Sequence, residues 1–282
     1  MTTVAQTKRI RLEEPTRRRD STVKTLACAA HLGVEHMKVD LIGGRFDAVL
    51  FDMDGVLTDT ARIHEASWKK MFDAFLKRRA KATGEPFRAF ETEDYELDVD
   101  GRPRYDGVRD FLGSRGIKLP EGSPEDPPDR ETVCGLGNRK NEMVTEVIKD
   151  VGVEAFPGSV ALVRYVRDHG LRTAVVSASA NCAAVLEEAK IADLFEARVD
   201  GIVLEERHLR GKPEPDSFLE AARMLGVEPA RTVVFEDAIS GVRAGHAGAF
   251  GFVVGVSRKN DEDALAQSGA DVVVHDLAEL IP

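Results

Sequence analysis

The sequence predicts an α/β fold, a doubly wound parallel sheet with an inserted helical cap domain. Short apolar runs without alternation, which suit strands buried on both faces of a parallel sheet, alternate with helical segments in the second half of the chain. About ninety residues of helix and loop, with no clear strand, separate the first apolar run from the next one. An insertion of this kind is typical of a helical cap.

The first predicted strand covers residues 48–51 and is followed at once by Asp52, Asp54 and Gly55. Two carboxylates one residue apart at the end of a buried strand are costly unless a cation neutralises them, and a hard divalent cation is the usual partner. Ligands of open α/β sheets bind beyond the carboxyl ends of the strands. This stretch therefore predicts a metal-binding site at one edge of the sheet.

The predicted cap covers residues 61–156. Its first helix carries apolar side chains at three- and four-residue spacing, which gives it one broad apolar face. The predicted cap elements are helices at 61–79, 105–114 and 138–151, an acidic segment with a turn at 85–110 and a loop rich in Pro and Gly at 116–128.

Residues 45–60 and 157–282 form the predicted catalytic core, in which helices and strands alternate after the cap. The predicted strands are 172–176, 197–200, 232–235, 252–256 and 272–274, and the predicted helices are 159–169, 182–190, 216–225 and 241–248. This alternation specifies parallel strands joined by crossover helices.

Residues 1–44 differ from the rest in charge. Residues 1–24 contain seven basic and three acidic residues, although the whole chain has a formal net charge of −10. We expect a poorly ordered extension, with a short helix at 22–34. A basic arm that binds an acidic partner, or a true start at Met37, would give the same pattern.

Composition excludes several classes of protein. The chain of 282 residues is 43% hydrophobic and 31% charged, as in soluble globular proteins. A net charge of −10 and a pI near 5.3 argue against a nucleic-acid or anionic membrane surface. The cysteines, Cys28, Cys134 and Cys182, are widely spaced, and no apolar run approaches the roughly 20 residues of a membrane span. We therefore expect a reduced, cytoplasmic protein.

Other polar residues follow the later strands. Ser177 comes after residues 173–176, Glu236 and Asp237 come after 232–235, and Lys212 lies in a turn that begins a helix. Because parallel strands end at the same edge, these residues and the first two aspartates should share one site.

The set of side chains suits phosphoryl transfer, in which charge on the phosphoryl oxygens is balanced by fixed groups. Lys212 and the Ser177 hydroxyl would hold phosphate oxygens. Mg²⁺ accepts carboxylate, carbonyl and phosphate oxygens. The expected protein ligands of Mg²⁺ are Asp52, the main-chain carbonyl of Asp54, Asp237 and, nearby, Glu236. Further donors to the phosphate are expected from the main-chain amides of Met53, Asp54 and Ala178.

Taken in order, the motifs Asp52-Met53-Asp54-Gly55-Val56, Ser177, Lys212-Pro213 and Glu236-Asp237 resemble the four motifs of the haloacid dehalogenase superfamily. The resemblance implies the Rossmann-like core of that superfamily. It also implies that Asp52 is a nucleophile that forms an aspartyl-phosphate and that Asp54 is a general acid and base. Dehalogenases of the superfamily lack the second aspartate, so phosphoryl chemistry is favoured.

A finer resemblance is to the β-phosphoglucomutase-like subfamily. Residues 52–68 are similar to its opening segment, including Thr58, Thr60, His64 and Trp68. The resemblance favours a role for His64 in controlling the proton on Asp54, against an ordinary surface histidine. Trp68 is expected in the core of the cap.

Three segments resemble the substrate-binding parts of that subfamily. Residues 177–181 are similar to its phosphate and sugar loop, residues 139–141 to a cap segment, and residues 106–109 to a cap substrate loop with different spacing. The implied substrate-binding residues are Ser177, Ala178, Ser179, Asn181, Lys212, Lys140 and Arg109.

The resemblance implies a magnesium-dependent enzyme that converts β-glucose 1-phosphate to glucose 6-phosphate. The alternatives are a sugar-phosphate phosphatase with the same core, and a non-catalytic phosphosugar-binding protein, which the intact Asp52 and Asp54 disfavour. The expected partner is a small phosphosugar, with no nucleic acid and no membrane, and the expected state is a monomer or weak oligomer.

Overall fold

A six-stranded parallel sheet forms the centre of the structure, a computed structural model that describes residues 40–282. Its strands are β1 (Ala48–Asp52), β2 (Arg172–Val176), β3 (Ala197–Val199), β4 (Thr232–Glu236), β5 (Phe252–Val256) and β6 (Val272–Val274). Their spatial order is β3-β2-β1-β4-β5-β6, which is a doubly wound arrangement with β1 near the middle. The basic segment and the helix expected at 22–34 lie outside the described residues.

Strand β1 is central because every one of its residues is buried and it pairs with β2 on one side and β4 on the other. Its Phe51 is in register with Val175 of β2 and Phe235 of β4. The register brings the ends of all three strands to one edge, so the polar residues that follow them become neighbours.

Helices cover both faces of the sheet. On one face, α5 (Pro157–Asp168) and α6 (Cys182–Glu188) pack against Val49 and Phe51 of β1. On the other face, which includes Ala48 and Leu50 of β1, lie α7 (Gly201–Glu206), α8 (Asp216–Leu225), α9 (Ile239–Ala247) and α10 (Glu262–Gln267). Successive side chains of β1 point to opposite faces of the sheet, and both faces are buried. This is why β1 could be predicted from an apolar run without alternation.

The inserted cap has its own apolar core. Its elements are α1 (Ala61–Thr83), α2 (Thr92–Asp94), a π-helical turn (Tyr95–Val99), α3 (Arg104–Ser114) and α4 (Val133–Val151). Trp68 and Phe72 stack at 5.2 Å between ring centroids, and Phe72 contacts Phe111 at 4.1 Å. The predicted fold class, a doubly wound sheet with an inserted helical cap, is confirmed.

Several elements differ from the prediction at their ends. Helix α4 begins at Val133, earlier than expected, because the Thr132 hydroxyl accepts a hydrogen bond from the Gly135 amide and caps the helix. Helix α1 continues to Thr83, and the left-handed backbone of the next residue, Gly84 (φ 77°), ends it. The short elements that were not predicted are the Thr92–Val99 segment, α7, α10 and the 3₁₀ helices Ala192–Leu194, Pro229–Arg231 and Leu277–Leu280. Each is too short to show a helical period in the sequence.

Two further features bear on the expectations above. Leu41 is buried against the sheet, so ordered packing includes a residue of the predicted N-terminal extension. Within residues 40–282, no helix is both long and apolar enough to cross a membrane.

Candidate active site

Four of the carboxylates predicted at the strand ends, Asp52, Asp54, Glu236 and Asp237, line one pocket between the sheet edge and the cap. Ser177 and Lys212 are buried behind this lining and bond to Asp54 and Asp52. The core side of the pocket includes Asp52, Asp54, Ala178, Ser179, Glu236 and Asp237. Its cap side includes His64, Trp68, Asp100, Arg102, Arg104 and Lys140. The core half of the predicted site is therefore assembled as expected from the strand ends, and the cap supplies cations to the same space.

Lys212 bridges two buried carboxylates that line the pocket, Asp52 and Glu236. Its ammonium donates to Asp52 Oδ1 and, at 2.5 Å, to Glu236 Oε1. The second oxygen of Glu236 accepts from the Ala238 amide at 2.7 Å. Burial alone would lower the pKa of Lys212, but the two carboxylates raise it, so the ammonium stays charged. Asp52 is thus held at the end of β1 by a fixed cation.

Asp54 has a different set of partners, although it lies only two residues further on. Its Oδ1 accepts a hydrogen bond from Thr60 Oγ1 at 2.5 Å, and its Oδ2 accepts one from Ser177 Oγ at 3.1 Å. Thr60 is itself positioned by Thr58, with 2.8 Å between the hydroxyl oxygens. The Asp54 carboxylate therefore points to hydroxyl groups, whereas Asp52 points to an ammonium.

A histidine and a lysine from the cap complete the surroundings of Asp54. His64 Nε2 lies 3.5 Å from Asp54 Oδ1, and its Nδ1 lies 2.9 Å from the Lys140 ammonium nitrogen. Burial, with a smaller contribution from Lys140, lowers the pKa of His64 to about 4, so the imidazole is neutral near pH 7. Burial also lowers the pKa of Lys140 to about 7. Lys140 lies 4.8 Å above the Trp68 ring.

The loop after β2 is shaped by its own side chains. The Ser179 amide donates to Ser177 Oγ at 3.1 Å, and the Asn181 amide donates to Ser179 Oγ at 3.1 Å. The Asn181 side chain donates to Asn141 Oδ1 of the cap at 2.9 Å. These bonds form a tight turn in which Ser177 faces Asp54 and Asn181 contacts the cap.

The geometry is matched by known proteins. A family model described as haloacid dehalogenase-like hydrolase matches residues 46–248. The chain belongs to this family. It is 53% identical to the β-phosphoglucomutases of Mycobacterium bovis and Mycobacterium tuberculosis over 238 residues, which cover 83% of this chain and 91% of theirs.

Two other similarities extend the comparison with haloacid dehalogenase-like hydrolases. The chain is 30% identical to a phosphorylated carbohydrates phosphatase of Thermotoga maritima, over 81% of this chain and 94% of that protein. A crystal structure of β-phosphoglucomutase from Clostridium difficile has a TM-score of 0.65 and 26% identity, with 83% of this chain and 93% of that chain covered. The predicted superfamily and the β-phosphoglucomutase-like subfamily are confirmed, and the chain is a phosphotransferase or phosphatase of this superfamily.

Phosphotransferases of the haloacid dehalogenase family generally use Mg²⁺, and the residues present fit that ion. Asp52 and Asp237 are both buried, and burial raises the pKa of each well above its usual value. A divalent cation would remove this cost, and an all-oxygen donor set suits Mg²⁺. Within residues 40–282, no three His, Cys, Asp or Glu side chains form a complete metal site by themselves. Mg²⁺ commonly takes one or two carboxylates, with water and phosphate oxygens as its other ligands.

One residue expected in the substrate site lies elsewhere. The Arg109 guanidinium is exposed and bonds to Glu121 and Asp106, away from the residues that line the pocket. Arg104 and Arg102, at the start of α3 and just before it, line the pocket. Neither arginine was predicted from the sequence as a site residue.

Proposed function

We propose that the protein is a β-phosphoglucomutase that converts β-glucose 1-phosphate to glucose 6-phosphate through a glucose bisphosphate and an aspartyl-phosphate. The proposal is supported by the two mycobacterial enzymes of that name, which are 53% identical to this chain over 83% of its length. It is also supported by the arrangement of cations in the pocket.

The observation that carries the proposal is that cations lie on both sides of the pocket. Lys212 contacts Asp52 on the core side, and Arg104 and Lys140 line the cap side. A phosphatase needs to bind only the phosphate that is transferred. A mutase must also hold a sugar that carries a second phosphate, and it must hold that sugar in two orientations. Cap cations that face the nucleophile meet this requirement.

In the first half-reaction, the C6 hydroxyl of β-glucose 1-phosphate attacks the phosphorus of phosphorylated Asp52. The Asp54 carboxylate accepts the hydroxyl proton as the new P–O bond forms and the bond to the Asp52 oxygen breaks. The products are a bisphosphate and a free Asp52 carboxylate. The hydrogen bonds from Thr60 and Ser177 hold Asp54 in place for this transfer.

In the second half-reaction, the bisphosphate is bound the other way round. Asp52 attacks the phosphorus at C1, the bond between phosphorus and the sugar oxygen breaks, and protonated Asp54 returns its proton to that oxygen. Glucose 6-phosphate leaves, and Asp52 is phosphorylated again. Lys212 balances the charge on the oxygens of the transferred group, and Ser177 and the loop through Asn181 would hold phosphate and sugar.

We also propose that Mg²⁺ binds to Asp52, Asp237 and the Asp54 carbonyl, with Glu236 holding Lys212. When bound, the ion reduces the repulsion between the Asp52 carboxylate and an incoming phosphate dianion. Because Glu236 is in contact with Lys212, we assign it the role of holding this ammonium in place rather than that of a direct ligand of Mg²⁺.

Residues 61–156 are proposed to act as the cap that chooses the acceptor, over a core of residues 45–60 and 157–282. His64, between Asp54 and Lys140, would link the proton on Asp54 to the presence of an anion beside Lys140. Trp68 stacks in the apolar core of the cap and also lines the pocket. Cytoplasmic location and a monomeric or weakly oligomeric state remain predictions from the sequence.

Phosphorus NMR tests the proposed reaction. β-Glucose 1-phosphate is incubated with the protein, Mg²⁺ and a catalytic amount of glucose 1,6-bisphosphate. The mutase gives glucose 6-phosphate without an equivalent release of inorganic phosphate. Inorganic phosphate and glucose as the only products would refute the mutase. That result would favour the second candidate, a sugar-phosphate phosphatase, for which the similarity to the Thermotoga maritima enzyme is the supporting observation.

A further inference from the structure

One cap segment contacts the core through side chains outside the four sequence motifs. We call residues 95–104, which contain the π-helical turn and the start of α3, the strap. Lys259, in the loop after β5, lies with its ammonium nitrogen 3.4 Å from Asp100 Oδ2 of the strap and 4.7 Å from the centre of the Tyr95 ring. Ser240, in α9, donates a hydrogen bond to the main-chain oxygen of Asp100 at 2.6 Å.

The strap packs too closely for a side chain at its centre. A Cβ atom added at Gly101 would lie 2.5 Å from Ser240 Oγ and 3.2 Å from the Ala238 Cβ. Pro103 fills the space next to Gly211, the residue before Lys212. The strap therefore rests on the two core loops that carry Asp237 and Lys212, and it places Arg104 beside them.

Asp100 is a carboxylate that the proposed mechanism does not use. It lines the same pocket as Asp52, Asp54, Glu236 and Asp237, and its side chain is 12% exposed. Like charges at such a site repel one another, so a strap carrying an uncompensated Asp100 would be driven away from the core. Lys259 is the cation that compensates Asp100. Burial alone would lower the pKa of Lys259, but Asp100 raises it, which keeps the ammonium charged.

We propose that Lys259 and Asp100 form a latch that holds the cap closed on the core, and that Lys259 is thereby a positioning residue for Arg104. In the closed state the strap covers the pocket and keeps water from the phosphorylated Asp52. Loss of the latch raises the population of open molecules, since the pair across the interface contributes only in the closed state. The kinetic consequence rests on the proposed mutase function, whereas the closure itself does not.

Trp68 reports on closure without any added label. It is the only tryptophan of the chain, it is 2% exposed, and it lines the pocket that opening would bring into contact with solvent. Acrylamide quenching of its fluorescence is measured in the substrate-free protein for wild type, Lys259→Met, Asp100→Asn and the double variant. We expect the open-to-closed ratio, and with it the quenching, to rise roughly fivefold in each single variant. The double variant should show little more quenching than either single variant, because each single substitution already removes the ion pair.

Two matched variants test whether the charge matters. Lys259→Arg keeps the cation, so its Trp68 fluorescence should be quenched by acrylamide to the same extent as in wild type. Arg78→Met removes an ion pair with Glu131 that stays within the cap, and it should also quench like wild type. Wild-type quenching in Lys259→Met and Asp100→Asn, or equal quenching in Lys259→Met and Lys259→Arg, would overturn the latch. Thermal melts of each variant show whether an increase in quenching comes from unfolding rather than from opening of the cap.

The kinetic readout separates this proposal from the proposed function. In phosphorus NMR of β-glucose 1-phosphate turnover, Lys259→Met should release several-fold more inorganic phosphate per glucose 6-phosphate than wild type. An unchanged ratio would contradict the role of the latch in excluding water. If quenching rises as expected but no variant, wild type included, forms glucose 6-phosphate, the latch stands and the mutase assignment fails.

Discussion

Lys140 provides a test of the electrostatics of the pocket. It is buried, with 6% of its surface exposed, beside neutral His64 and above Trp68. Burial, together with the nearby Arg104 guanidinium, lowers its pKa from 10.5 to about 7, against the raising effect of Asp54. An ammonium held this way is poorly compensated in the free protein, and it would gain a partner when a phosphate binds.

The size of the effect on stability follows from linkage. Between pH 7 and 10.5 the unfolded chain binds a proton at Lys140 that the folded chain does not, so stability rises with pH across that window. A difference of about 3.5 pKa units between the unfolded and folded chain corresponds to a destabilisation of the folded protein by about 5 kcal/mol. This destabilisation is fully present below pH 7 and falls by about 1.4 kcal/mol per pH unit above it. Replacing Lys140 would also remove its hydrogen bond to His64, and this loss would cancel about 1 kcal/mol of the stability gained.

Lys140→Met should therefore stabilise the substrate-free protein by about 4 kcal/mol at pH 6 and by close to nothing at pH 10. The measurement is the free energy of unfolding in urea at pH 6, 7, 8, 9 and 10, with EDTA present. Lys149→Met replaces an exposed lysine of the same helix and should give a small, pH-independent change. A pH-independent effect of Lys140→Met would refute the reasoning. The same variant should raise KM for the phosphosugar, because a cap cation is lost.

Four other outcomes are expected. Asp52→Asn should lower turnover by at least about 10⁴-fold with unchanged circular dichroism, and retained turnover would refute the nucleophile assignment. EDTA should abolish activity and Mg²⁺ should restore it, whereas metal-independent turnover would contradict the proposed site. Thr60→Val should lower kcat roughly 10- to 100-fold with little change in KM, since the Thr60 hydroxyl bonds to the proposed proton carrier Asp54 and to Thr58. A chain that begins at Asp40 should keep the activity and unfolding midpoint of the full chain, because the apolar packing of residues 40–282 begins at Leu41. A lower midpoint would assign the N-terminal segment a stabilising role.

The sequence predicts the core half of the site because the fold itself brings these residues together. Parallel strands end at the same edge, so polar residues that follow β1, β2 and β4 must become neighbours. Asp52, Ser177 and Glu236 are separated widely along the chain, yet each is either the last residue of a buried strand or the residue directly after it. No side-chain detail was needed for that prediction.

The cap half is harder to predict, since no comparable rule fixes its loops. Arg109 was expected in the pocket and is found in ion pairs with Glu121 and Asp106, whereas Arg104 lines the pocket. Both arginines belong to α3, so the difference depends on where that helix begins and which face it presents. The pairing of Asp100 with Lys259 spans 159 positions and has no local sequence signal.

Asp52, the last residue of β1, and Asp54, two residues further on, show how different surroundings suit one kind of side chain to two proposed roles. Asp52 is bonded to a charged ammonium, so its carboxylate is held in a fixed position, as its proposed role of nucleophile requires. Asp54 accepts hydrogen bonds from the Thr60 and Ser177 hydroxyls, which orient its carboxylate for the proposed proton transfer. This division serves water and sugar acceptors equally well. The choice between them must therefore come from the cap, where Arg104 and Lys140 are proposed to hold a second phosphate and the strap is proposed to keep water out.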